Sequence, residues 1–161
     1  MARSKRPRKA YRPKACTPLD GYMKLTRAGV ARLPMEEGDT GELELVVLSA
    51  LEAISHGHGT PNEWNSVARA INHSWTLANQ GIGSEVIGPL AEAENAMRRA
   101  GDRFYKVGKV ALDGDGLRAV REAIALWGQQ LRICTVGEVD AATRLVEREY
   151  WRTPAENGAA R

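Results

Sequence analysis

Between Leu90 and Val107 the apolar residues Leu90, Ala93, Met97, Ala100, Phe104 and Val107 follow one another at intervals of 3-4-3-4-3. An α-helix, at 3.6 residues per turn, is the element that brings such a set onto one face. A helix striped on one face must bury that face against other elements, and the same chain supplies them. Leu117, Val120, Ile124, Trp127, Leu131 and Cys134 repeat the spacing. Leu43, Val46, Val47, Ala50, Leu51 and Ile54 recur at three and four within ELELVVLSALEAI. Two further stripes comprise Trp64, Val67, Ala68, Ile71, Trp75 and Ala78, then Val139, Ala142, Val146 and Tyr150. With no competing strand pattern, these stripes predict an all-α fold, an antiparallel helical bundle of about five helices.

The residues between the stripes carry helix start and stop signals. HGHG at 56–59 ends the first helix. Thr60, Pro61 and Glu63 then form a capping-box sequence with proline at the first helical position. Ser84 is placed to cap the third helix, which Pro89 forces either to begin near Gly88 or to kink there. Gly108 ends that helix, and Glu94 with Arg98 and Asp102 with Lys106 are spaced for ion pairs along it. Asp113 or Asp115 caps the fourth helix, and Thr135 with Glu138 offers a second capping box before the fifth, which should end before Pro154.

The first fourteen residues, MARSKRPRKAYRPK, are different in kind. They hold Arg3, Lys5, Arg6, Arg8, Lys9, Arg12 and Lys14 with no acid, leaving 16 basic and 20 acidic residues for the rest of the chain. So dense a run of like charge, broken by two prolines, cannot bury enough apolar surface to fold alone. The expected layout is therefore a disordered basic arm over 1–14, an irregular segment wrapping the core over 15–41, a helical bundle over 42–152 and a disordered tail over 153–161. No apolar run approaches the roughly 20 residues that span a bilayer, and no apolar stretch backs the positive start as in a secretory signal. No membrane association and a cytoplasmic location are the simplest expectations.

The candidate chemistry is sparse. His56 and His58 flank a glycine without a third ligand nearby, so a helix terminus explains them better than a metal. ALDGDGLRAVRE aligns Asp113, Asp115, Gly116 and Glu122 with a calcium loop, but alanine stands at the first ligand position. Cys134 falls on an apolar stripe, and neither a CxxC pair nor a nucleophile, phosphate-loop or dinucleotide motif occurs. No enzyme activity, cofactor or metal is expected. The arm carries the clearest preference: its cations, with Tyr11 as a stacking surface, suit the phosphates of DNA or RNA. Arg98, Arg99 and Arg103 could continue that surface, although interleaved Glu92, Glu94 and Asp102 also fit a solvated face.

The segments KRPRKAYRPK, GTPNEWNSVARAIN and NQGIGSEVIGPLAEAENAMRRAGDRFYKVGKVALDGDGLRAVREAIALWGQQL resemble a group of short, uncharacterised proteins encoded in proteobacterial phages and prophages. The likeness covers about residues 1–150 and implies a phage accessory role without assigning site residues. Two kinds of role follow. One is nucleic-acid or nucleoprotein binding through the arm, with the bundle as a docking or homodimerising body. The other is an anti-CRISPR-like inhibitor that binds a host defence protein.

Overall fold

The computed structural model describes residues 27–156, with side chains through Glu149. Residues 27–30 are helical, and five long helices follow: α1 (Glu37–Ser55), α2 (Pro61–Asn79), α3 (Ile87–Val107), α4 (Gly114–Ile133) and α5 (Val136–Glu156). A 3₁₀ turn, Ser84–Val86, leads into α3. The protein is an all-α bundle, as the stripes predict. The expectations for the arm and tail fall largely outside the described residues.

Several helix ends follow their sequence signals. At α2, Thr60 Oγ1 accepts from the Asn62 N–H at 3.2 Å and Glu63 accepts from the Thr60 N–H at 2.8 Å, completing the capping box. At α5, Thr135 N–H donates to Glu138 at 2.7 Å and Glu138 N–H returns to Thr135 Oγ1 at 3.4 Å. Asp113 is the α4 cap, its carboxylate accepting from the Gly116 N–H at 2.6 Å. Gly108 closes α3 in the left-handed region at φ +70°.

Other ends differ. Helix α1 begins at Glu37, so the end of the expected irregular segment is helical. Thr40 faces inward there and satisfies its hydroxyl on the carbonyl of Glu37 at 3.0 Å. Ser84 is the first residue of the 3₁₀ turn and makes no side-chain cap. Pro89 sits in the first turn of α3, where a missing N–H costs nothing, so the helix starts at Ile87 without a kink being required. Helix α5 runs through Pro154 to Glu156.

Cross-contacts set α1 antiparallel to α4 and α2 antiparallel to α5, while His73 with Trp127 and Ser74 with Gln130 show that α2 and α4 run parallel. Glu44 and Glu52 of α1 pair with Arg132 and Arg121 of α4, and Arg69 of α2 pairs with Glu147 of α5. Helices α2 and α4 form the middle of the bundle: α1 packs on both, α3 packs on both, and α5 packs on α2. Leu51, Ile54, Val67, Leu90, Val120, Ile124 and Leu131 make the main core, with Leu77, Cys134 and Ala142 in a smaller one. Leu43, Val46 and Val107, expected on buried stripes, are exposed: Val46 turns outward from the buried arc of α1, and Val107 is the last residue of α3.

Residues 31–35 are held by main-chain bonds to the α4–α5 turn. Gly137 N–H donates to the Ala31 carbonyl at 3.0 Å, Val136 N–H to Leu33 at 2.9 Å and Met35 N–H to Cys134 at 3.0 Å. A Cβ at position 137 would stand 2.7 Å from the Ala31 carbonyl oxygen, so the close approach of residue 31 to the first turn of α5 needs glycine. This fixes the point at which the N-terminal segment joins the bundle.

Candidate nucleic-acid interface

The cations that the sequence nominates divide into two sets. Arg3, Lys5, Arg6, Arg8, Lys9, Tyr11, Arg12 and Lys14 lie outside the described residues. Arg98, Arg99 and Arg103 all lie on the outer surface of α3, but each has a partner. Arg98 meets Glu94 at 2.9 Å, Arg99 meets Asp113 at 3.5 Å, and Arg103 donates to the Ala111 carbonyl at 3.1 Å. Arg99 and Arg103 tie α3 to the loop that enters α4, whereas the Arg98 pair lies within α3. The Gly116 N–H, helped by Arg99, holds the Asp113 carboxyl below its ordinary pKa, which keeps the Arg99 pair charged.

By helical angle Arg99, Arg103 and Lys106 share one outward arc of α3, while Arg98 projects from the other side of Asp102. Asp102 and Lys106 make no ion pair among the described residues. This arc is cationic but shallow. The adjoining groove between α3 and α4, of about 250 Å³, is lined by Glu92 and Asp115 as well as Arg99, so its potential is mixed. It suits superficial contact with phosphates and does not enclose a strand.

A larger cleft of about 1020 Å³ lies between α2 and α5. Asn62, Asn65, Arg69, Asn72, Thr76 and Asn79 line it at 3-4-3-4-3 spacing, a polar stripe beside the apolar one of the same helix. Arg69 and Arg148 are balanced there by Glu147 and Glu149, and the Arg69–Glu147 pair bridges the helices at 3.3 Å. Amides offer donors and acceptors together, a chemistry for neutral polar groups more than for a polyanion. Reading the apolar stripes missed this feature, although four of the six asparagines of the chain mark it. Trp75 also lines the cleft, and its indole Nε1 is buried without a hydrogen-bond partner among the described residues.

The motifs weighed for metal or nucleophile chemistry have structural roles. His56 Nδ1 lies 2.9 Å from the Glu52 carbonyl oxygen at the end of α1, and the described residues contain no cluster of metal-ligating side chains. Cys134 is buried, and burial, reinforced by the Glu138 carboxylate, pushes its thiol up to about 11. A thiol so placed stays neutral near pH 7. Among the described residues no helix is long and apolar enough to cross a membrane. No protein-family model matches the chain, and no curated protein or solved structure matches it.

Proposed function

We propose that this protein is a non-enzymatic binder of nucleic acid, or of a nucleoprotein complex, acting through its cationic N-terminal segment in a phage accessory role. The carrying observation is the run of seven Lys and Arg side chains within residues 1–14, none of them neutralised by an acid in that stretch. Neutralising phosphates with such a run releases condensed counterions, which gives affinity without base specificity. The Arg99, Arg103 and Lys106 arc of α3 supports the reading as a secondary contact, weaker because two of its three members are already engaged.

Titration of the full chain with single- and double-stranded oligonucleotides across a salt series tests this. For duplex DNA, log K is expected to fall against log salt with a slope of about −0.9 for each phosphate neutralised. Removal of residues 1–14 should eliminate most of that association. Binding that ignores salt, or that survives the deletion unchanged, rules the reading out.

A further inference from the structure

Helix α1 carries apolar side chains on every side, yet one side alone enters the core. Val47, Ala50, Leu51 and Ile54 are buried, whereas Leu45 and Val46 are 65% and 63% exposed, with Leu48 and Leu43 at 45% and 40%. A helix of that composition is ordinarily covered on more than one face. The outer surface also carries charge of a single sign, since no Lys or Arg occurs between Arg32 and Arg69. Glu44 and Glu52 reach across to arginines of α4, at 2.8 and 3.3 Å. Glu36, Glu37, Asp39 and Glu42 have no cationic partner among the described residues. Asp39, Glu42, Leu43 and Val46 share an arc, and beside Leu45 the glycines 38 and 41 leave open space.

Carboxylates interleaved with leucine and valine fit a segment that is itself cationic and apolar. A second α1 would set four unpaired carboxylates against their equals, and a nucleic acid would be repelled by them. The 26 residues before Arg27 have the complementary composition: eight Lys or Arg against Asp20 alone, with Leu19, Tyr22, Met23 and Leu25. They join the described chain ten residues before α1 begins, at a point fixed by the main-chain bonds of residues 31–35. Fully extended, 26 residues reach about 85 Å, while α1 is about 28 Å long. Tethering at that distance supplies an effective concentration of about millimolar, so a weak surface suffices.

We propose that residues 1–26 dock in cis on the outer face of α1, their cations against Asp39 and Glu42 and their apolar side chains against Leu45 and Val46. The docked segment is shielded from polyanions, so α1 acts as a built-in competitor that a nucleic acid must displace. Docking itself is read without nucleic acid, so it stands or falls separately from the function proposed above.

The test is zero-length carbodiimide cross-linking of the full-length protein at low salt, with the joined residues mapped by mass spectrometry. Expected are intrachain links from Lys5, Lys9, Lys14 or Lys24 to Glu37, Asp39 and Glu42. They should exceed links to the equally exposed Glu85, Glu92, Asp102 and Glu122 several-fold. They should vanish at about 1 M salt, where the Debye length is about 3 Å. The double substitution Leu45→Ser with Val46→Ser, at two exposed positions that leave the core intact, should lower their yield several-fold. Links spread evenly over surface carboxylates, links only between separate chains, or no links to α1 overturn the proposal. A yield unchanged by the double substitution removes its apolar part.

Discussion

His73 is a polar residue inside an apolar core, and its two ring nitrogens have opposite duties. Trp127 Nε1–H donates to Nδ1 at 3.1 Å, while Nε2, 3.2 Å from the Val139 carbonyl oxygen, must donate. The partners thus select the neutral ring protonated at Nε2, and a second proton at Nδ1 would confront the indole N–H. Desolvation lowers the His73 pKa below its ordinary value, partly opposed by the Val139 carbonyl. The unfolded chain therefore takes up the proton first, so this residue costs stability as pH falls below about 6.5 and stops doing so below its folded pKa. Unfolding free energies from denaturant titrations between pH 7 and 5.5 should fall with acidification at up to about 1.4 kcal/mol per pH unit. The decline should flatten in His73→Gln, and the His73 ring should titrate below the ordinary range by NMR. An equal decline in that variant would place the effect elsewhere. Gln130 is another buried polar group, and it is satisfied from three sides by Ser74 Oγ–H and by the carbonyls of Ser74 and Ile82, the last at 2.8 Å. These bonds lock α4 to α2 and to the turn before α3.

At the scale of elements, what was legible followed from which groups announce themselves chemically. The capping boxes at Thr60 and Thr135 could be read because a hydroxyl and a carboxylate three residues apart satisfy known orphan donors. Thr60→Ala and Thr135→Ala should each destabilise the protein by about 1 kcal/mol in chemical denaturation. Of the two, Thr135→Ala should also loosen residues 31–35, because their main-chain partners lie at 134–137. Hydrogen exchange at Met35 N–H, bonded to the Cys134 carbonyl, reports that directly, and unchanged exchange there would separate the cap from the strap. The start of α1 was not legible, for an equally physical reason. Glu36 makes no side-chain cap bond, and Gly38 and Gly41 resemble helix breakers. The inward-facing residue of the first turns is a threonine, whose hydroxyl is satisfied by its own helix. The stripes predicted the cores of α2, α3 and α4 well. They misplaced Leu43, Val46 and Val107 because recurrence at three and four admits residues at the edge of a face and at a helix end, whose exposure the spacing does not reveal. The amide stripe of α2 escaped because polar residues at the same period read as solvent-facing.

Across the whole molecule, charge is separated along the bundle as well as between segment and body. The unpaired carboxylates of α1 adjoin the end of α4 where Glu44 meets Arg132, whereas Arg99 meets Asp113 at the opposite end. At 1.5 Å per residue the nineteen-residue interval from Asp113 to Arg132 corresponds to about 28 Å. The described chain thus begins near the acidic end of the bundle, about a helix length from the α3 arginines. The two cationic surfaces are therefore expected to contribute unequally. Replacing the seven basic residues of 1–14 with glutamine should remove most of the salt dependence of nucleic-acid binding. The triple substitution Arg98→Gln, Arg99→Gln and Arg103→Gln should reduce the duplex slope by less than the about 2.7 that three full phosphate contacts would give, because each arginine must first leave its present partner. Anisotropy titrations at several salt concentrations measure both slopes. A larger loss from the α3 variant than from the N-terminal one would make the folded surface the main contact and reverse the order of the two.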